Sequence, residues 1–216
     1  GRGVAIGYRM HVGGAGLSAT IAVNDDGTIK LVTGSADLSG SRIALAMRAA
    51  KALGIAAEDV TPSVADTDSV GFTAGSFGSR ITFDTGRAIL TATDEVIRQM
   101  KERAAMLWEA EPDDVDFVDG AFVRSQDRSE RMTFKEMAGR LMETGGLVTC
   151  SASDRQGDVG PQVAGNIIDV EVDPETGKVG ILRYTTFMDV GQVVHRQNVE
   201  GQMQGGVLQG AGWALN

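Results

Sequence analysis

Three stretches of this sequence gather polar groups densely enough to do binding chemistry, and each is built around glycine. The densest, Thr73-Ala74-Gly75-Ser76-Phe77-Gly78-Ser79-Arg80-Ile81-Thr82, holds two glycines, two serines, an arginine and a closing threonine within ten residues. Ser76, Ser79 and Thr82 offer hydroxyls, Gly78 lets backbone N–H groups approach a ligand, and the Arg80 guanidinium can grip phosphate bidentately. A capped surface turn with a solvated arginine has the same spacing, and without a lysine after the glycines it is not an NTPase phosphate loop. The second stretch, Gly34-Ser35-Ala36-Asp37-Leu38-Ser39-Gly40-Ser41-Arg42, lies between a strand pattern and a helix pattern. Small residues such as Ser39 and Gly40 at a helix N-terminus present free N–H groups to an anion, and the helix field adds to the attraction. An ordinary connection with Ser39 or Ser41 as N-cap reads alike. The third, Gly201-Gln202-Met203-Gln204-Gly205-Gly206, sets an amide that donates and accepts beside residues that permit close approach. Tight helix–helix packing through small residues is its alternative.

Other reactive residues stand apart. His11 and His195 are distant in sequence and read as surface or hydrogen-bonded residues. Asp66-Thr67-Asp68 and Asp113-Asp114 are paired carboxylates that suit loop and helix capping. Met100, Met106 and Met137 read as core filling, and Cys150 as an inert strand residue. A single cysteine cannot form an internal disulfide and two histidines cannot build a zinc site. No catalytic or metal-ligating residue is assigned within the chain.

The elements that must position these stretches are legible from periodicity. Leu17, Ala19, Ile21 and Val23 alternate into Asn24-Asp25-Asp26-Gly27, and Ile29 and Leu31 alternate out, a hairpin signal. A second hairpin runs from Ile168, Val170 and Val172 through Asp173–Lys178 to Val179 and Ile181. Each needs a helix or sheet over its apolar face. Ile43, Ala46, Met47, Ala50 and Leu53 recur at helical spacing and stop at Gly54. A longer helix spans about Gly86–Trp108, with Leu90, Ile97, Met100, Ala104 and Leu107 inward and Thr82 or Asp84 as N-cap. Thr133 and Glu136 stand in capping-box register at a third helix. A fourth, Val199–Ala214, is low in charge and is expected to be buried or to lie against a ligand. With a strand at Val60–Val64, the order is that of an α+β fold of antiparallel hairpins packed with helices rather than a parallel βαβ series. The polar segment Ser151–Gly160 divides it into sub-domains 1–150 and 151–216.

At 216 residues the chain can bury a real core. A formal charge of −9 argues against nucleic acid and anionic membranes as partners. No apolar run is long enough to span a bilayer and no targeting signal is visible, so a cytoplasmic location is expected. Glycine, 29 of 216 residues, is nearly twice as frequent as the usual roughly 7%. The chain begins Gly1-Arg2-Gly3 without Met and stops inside a glycine-spaced apolar pattern, which reads as a piece of a longer protein.

A-M-R-A-A-K-A-L-G-I (46–55), V-A-D-T-D (64–68), T-A-G-S-F-G-S-R (73–80), M-D-V-G (188–191) and E-G-Q-M-Q-G-G-V-L-Q-G (200–210) follow one another in the order seen in a known family. The chain resembles the C-terminal molybdopterin-binding region of the molybdenum hydroxylase large subunit, the family of xanthine dehydrogenase, aldehyde oxidase and aerobic carbon monoxide dehydrogenase. That resemblance implies a molybdenum-cofactor-binding domain fold. It implies that Ser76, Gly78, Ser79, Arg80 and Thr82 hold the phosphates and nucleotide tail of a molybdopterin cofactor, in its cytosine dinucleotide form. Gly201 and Gln202 would meet the pterin. Many members carry G-Q-G where this chain reads Leu38-Ser39-Gly40, so contact there would come from Ser39 or the backbone. The implied reaction is hydroxylation of an electrophilic carbon, in an aldehyde, N-heterocycle or CO-like substrate, with oxygen from water. Implied partners are the rest of the large subunit and a [2Fe-2S] and an FAD domain or subunit. The family's catalytic glutamate, in a G-E-P motif, would lie beyond residue 216, so the fragment alone would be inactive. A non-catalytic phosphate- or nucleotide-binding or scaffolding module is the alternative.

Overall fold

The alternation at Leu17–Val23 and Ile29–Leu31 builds the centre of the larger of two units. In the computed structural model, which describes residues 1–9, 17–64, 68–70, 73–153 and 161–216, β2 (Ser18–Val23) and β3 (Ile29–Thr33) pair antiparallel through the expected turn. They stand in a four-stranded sheet of order β4-β3-β2-β8, with β4 at Val60–Val64 and β8 at Thr149–Ser153. Ala19, Ile21, Val23, Ile29 and Leu31, each at most 1% exposed, line one face. The opposite face is polar, and Thr20 and Ser151, paired in register, share a 2.7 Å hydroxyl hydrogen bond there. The fold is α+β, as expected, but β3 and β4 run parallel, joined by α1 (Ser41–Leu53). One βαβ step therefore sits inside an otherwise antiparallel sheet.

Helices α1 and α2 (Gly86–Leu107) cover the apolar face. Their buried stripes are rich in alanine: Ala44, Ala46, Ala49 and Ala50 on α1, and Ala88, Ala92, Ala104 and Ala105 on α2. Such short side chains let each helix axis lie close to the strands. The expected stripes are borne out in part, with Ala46, Ala50 and Leu53 on α1 and Met100 and Ala104 on α2 buried. Ile43 is 53% exposed, and Leu90, Ile97 and Leu107 are only half-buried while Ile89 and Val96 are fully buried. Alanine, small enough to fit anywhere, carries too little periodic signal to fix the stripe. Met100 and Met137 are core residues, whereas Met106 is 62% exposed. Cys150 is buried, its thiol pushed up first by desolvation, and Gln99 Nε2 donates to its Sγ.

Beside this layer a small antiparallel sheet, β5 (Val115–Val118), β6 (Ala121–Arg124) and β7 (Arg131–Thr133), leads into α3 (Phe134–Ala138). Thr133 caps α3 in a complete capping box with Glu136, as its register predicts. Asp113 and Asp114 form a single turn after Pro112, where Asp114 accepts from Gln126, a loop role. The turn between β5 and β6 meets the end of α1 backbone to backbone. A Cβ on Gly54 would lie 2.2 Å from the Cα of Gly120, and the two residues have φ of 65° and 73°. Only glycine fits either place.

The second unit gathers Gly1–Val12 with Asp158–Asn216, against Gly13–Gly157 for the first. The expected division at 150/151 places residues 1–12 with the larger unit; the structure groups them with the C-terminal hairpin. The reason is β1 (Arg2–Arg9), which pairs antiparallel with β9 (Gln162–Val172), itself paired with β10 (Val179–Asp189). The alternation of Val4, Ile6 and Tyr8 was the available signal for this strand; its partner lies about 160 residues away in sequence. These three side chains are 67%, 74% and 75% exposed, so within the described residues nothing covers that face of the sheet. Helix α4 (Arg196–Leu215) likewise contains no buried residue, so of the two expectations for Val199–Ala214, burial or a place against a ligand, burial within the described residues is not met. Its glycines and glutamines spread around the helix without a separate apolar stripe. His11, Asp66, Thr67 and residues 154–160 of the polar divider lie outside the described residues.

Candidate functional site

The first two glycine-rich stretches fold as adjacent loops of the larger unit. Gly34 leaves β3 directly against the second loop: a Cβ there would lie 2.6 Å from the Thr73 side chain. Ser35, 3% exposed, shares a 3.2 Å hydrogen bond with Thr85, and Ser76 donates through Oγ to the Ala36 carbonyl at 3.2 Å. The two loops thus meet through Gly34 and Ala36, and Ser35 bonds the turn that follows the second loop.

Each loop carries two successive residues with positive φ. Ser41 N–H bonds the Leu38 carbonyl across Ser39 and Gly40, whose φ values are 58° and 72°. In the second loop Gly78 and Ser79 have φ of 67° and 61°. A serine in the left-handed region costs about 1–2 kcal/mol relative to a right-handed one, a strain that is concentrated at functional sites in proteins generally. Neither Ser39 nor Ser41 caps α1. Gly40 occupies the cap, and Asp37 serves the open helix end instead, accepting from Arg42 N–H at 3.0 Å and Ser41 Oγ at 3.2 Å. A side-chain carboxylate completes the turn more easily than a serine forced to positive φ.

The second loop enters α2 through a single wide turn, Ile81–Thr85, with the wider hydrogen-bond spacing that marks functional sites in many helices. Neither Thr82 nor Asp84 is an N-cap; Thr85 is, with no side-chain bond. Asp84 is turned inward to Arg80, whose Nε donates to Asp84 Oδ2 at 3.1 Å. The two side chains are 3% and 6% exposed. The Arg80 guanidinium also lies 5.5 Å from the ring centroid of Phe77. Ser79 and Thr82 are exposed, and Ser76 and Gly78 half-buried. The loop therefore presents hydroxyls and backbone to solvent while its own cation is held inside.

Sequence reasoning passed over three polar atoms near these loops. Arg42 Nε, Arg48 Nε and Thr73 Oγ1 are buried without a hydrogen-bond partner among the described residues. Arg48 interrupts the alanines of α1, which was the signal for it. Its side chain lies against Gly86, where a Cβ would come within 3.0 Å of its Cδ and Nε.

In the other unit, M-D-V-G ends β10 in a turn. Asp189 Oδ1 accepts from Gly191 N–H at 2.9 Å. His195 then caps α4, its Nδ1 accepting from Asn198 N–H at 3.2 Å. Gly201 and Gln202 are exposed on the first turns of α4, and a Cβ on Gly201, Gly205 or Gly206 would meet nothing within 4 Å. Among the described residues no group of three or more His, Cys, Asp or Glu could hold a metal ion. No helix is long and apolar enough to cross a membrane among them.

Compared with known proteins, residues 1–216 match the molybdopterin cofactor-binding domain. The chain belongs to that family. The domain is 28% identical over 226 residues to the 6-hydroxypseudooxynicotine dehydrogenase complex subunit gamma of Paenarthrobacter nicotinovorans, covering 99% of this chain and 28% of that protein. It is 27% identical over 203 residues to the putative xanthine dehydrogenase molybdenum-binding subunit XdhA of Escherichia coli K12, covering 91% of this chain and 27% of the relative. The domain thus spans less than a third of the length of these relatives. Quinoline 2-oxidoreductase from Pseudomonas putida 86 superposes with a TM-score of 0.83 at 25% identity, over 96% of this chain and 29% of that one. CO dehydrogenase from Oligotropha carboxidovorans superposes with a TM-score of 0.84 at 21% identity, over 95% of this chain and 28% of that one, a likeness of fold. In the larger unit, Arg48 Nε and Thr73 Oγ1, without hydrogen-bond partners among the described residues, and the exposed hydroxyls of Ser79 and Thr82 are groups able to donate to an anion.

Proposed function

We propose that this domain is the part of a molybdenum hydroxylase large subunit that grips the nucleotide end of the cofactor and meets its pterin. The observation that carries the reading is the contact between the Gly34–Arg42 and Thr73–Thr82 loops, within a chain whose whole length matches the family. Ser39, Gly40, Ser76, Gly78, Ser79 and Thr82 would hold phosphates through hydroxyls and backbone N–H groups, with Arg80 fixing the shape of the second loop. Gln202, beside Gly201, would bond the pterin edge, since an amide donates and accepts together. When bound, the cofactor supplies the redox chemistry by which an electrophilic carbon of an aldehyde, an N-heterocycle or a CO-like substrate gains oxygen from water. The cytosine dinucleotide form, a cytoplasmic location, and [2Fe-2S] and FAD domains or subunits as electron acceptors complete the proposal. The relatives' naming as a subunit of a dehydrogenase complex and as a molybdenum-binding subunit supports the assembly with further subunits. The division of the chain that the reading uses is that of the two contact units.

The test is metal and nucleotide analysis of the full-length protein purified from its native host. Molybdenum and a released cytidine nucleotide in equal amounts are expected. A full-length protein that contains neither would identify a phosphate-binding or scaffolding module instead. With cofactor present, Gln202→Ala should lower turnover per bound molybdenum while leaving loading nearly complete.

A further inference from the structure

Three arginines surround the paired loops, and two of them face a carboxylate. Arg80 is buried against Asp84 at 3.1 Å, and Arg42 stands 3.8 Å from Asp37, which also receives its backbone N–H. Arg48 is the third. Its Nε is out of reach of water and has no hydrogen-bond partner among the described residues. A buried guanidinium N–H left unserved is costly, so a partner is expected in the functional state. The backbone makes room for this side chain: Arg48 lies over Gly86, where a Cβ would come within 3.0 Å of Cδ and Nε. Gly86 follows Thr85, which is bonded to Ser35 of the first loop at 3.2 Å. Arg48 therefore reaches the seam between the helices where both loops converge. Arg42 Nε is likewise without a hydrogen bond among the described residues, but its charge faces Asp37; Thr73 Oγ1, a further unserved donor, lies against Gly34 in the same loop pair. A guanidinium and a hydroxyl that lack acceptors are complementary to a ligand rich in acceptors and negative charge.

We infer that Arg48, rather than the loop's own Arg80, is the cation that meets a phosphate group at this site, with Thr73 as a second donor. The inference rests on the reading of the two loops as the phosphate grip. In an acidic chain of net charge −9, one unneutralised guanidinium at the loop would decide whether a polyanion is held there.

The experiment is calorimetric titration of the full chain with inorganic pyrophosphate, using wild type, Arg48→Gln, Arg48→Lys and the distant surface variant Arg98→Gln. Losing one charge-assisted hydrogen bond should weaken binding about ten- to a hundred-fold in Arg48→Gln. Arg48→Lys should recover part of the loss, and Arg98→Gln should stay within about twofold of wild type because its charge is remote and solvated. Gly86→Ala tests the same placement without replacing the guanidinium, since its methyl group would lie 3.0 Å from Arg48 Cδ and Nε and press that side chain out of its present place; it too should weaken binding. Wild-type affinity in a folded Arg48→Gln, or in Gly86→Ala should Arg48→Gln not fold, would overturn the inference and leave the phosphate reading standing. Absence of pyrophosphate binding by wild type would overturn both.

Discussion

Arg80 shows how burial changes a residue's assignment. In sequence it is the obvious phosphate ligand of the Thr73–Thr82 loop; in the fold it is 2% exposed and paired with Asp84. Removing one member of a buried ion pair leaves the other desolvated and uncompensated, a loss of about 3–5 kcal/mol. Arg80→Ala should therefore lower the unfolding free energy obtained from urea titration by an amount of that order, whereas Ser79→Ala, on the exposed rim, should change it by less than about 0.5 kcal/mol. A small effect of Arg80→Ala on stability, together with a large loss of pyrophosphate affinity, would return the arginine to the role of direct ligand. Arg80 and Asp84 stand four residues apart, a spacing common on helix surfaces, and sequence alone does not say whether such a pair faces water or the core. Arg48 differs: a charge interrupting the alanine-rich α1 is visible in the sequence, but nothing local says that it reaches Gly86.

Among the elements, the helix ends separate what was local from what was not. The Thr133–Glu136 capping box formed as its register predicts, because both partners lie within one turn. The N-terminus of α1 did not follow the preference for serine, because Asp37, four residues upstream of Ser41, reaches back to the helix. The C-terminus of α1 joins a local rule to a tertiary one. Gly54 ends the helix with φ of 65°, as a glycine after the last periodic residue suggests, and it also touches Gly120 across the α1 and β5–β6 junction. Gly54→Ala should lose about 1–2 kcal/mol from the left-handed backbone alone, and more from the contact with Gly120. Thermal unfolding of this variant beside Gly146→Ala, which also has positive φ but meets nothing within 4 Å, separates the two terms. Equal shifts would mean that the close approach contributes nothing.

For the whole molecule, the distribution of ion pairs sets the response to acid. Glu95 is lowered from its ordinary 4.5 to about 2, first by its hydrogen bond with Arg98 and then by Gln99. Asp169 is lowered by Arg2, which joins β1 to β9, and Glu136 by the Thr133 backbone and hydroxyl. Each folded carboxyl titrates below its unfolded counterpart. The stability it contributes is complete above the ordinary carboxylate range and is lost as pH falls through the folded value. Urea midpoints should therefore hold steady near neutrality and fall progressively from about pH 4.5 toward pH 2. Neutralising Arg98 by Arg98→Gln should flatten part of that fall, and an unchanged acid limb in this variant would count against the assignment.

The sequence by itself determined what depends on short range and on pattern: both hairpins, the α+β order, the span of α1 and α2, the α3 cap, and the family to which the whole chain belongs. Alternation and turn chemistry suffice for these, because each partner lies within a few residues. Only the tertiary structure decided that β1 pairs with β9, that β3 and β4 run parallel, and that the first two glycine-rich loops touch through Ser76 and Ala36. It alone turned Arg80 inward and left Arg48 Nε without an acceptor among the described residues. Those outcomes depend on which side chains meet after long segments of chain have closed. Burial then determines whether a charged group is answered within the protein or left to a ligand.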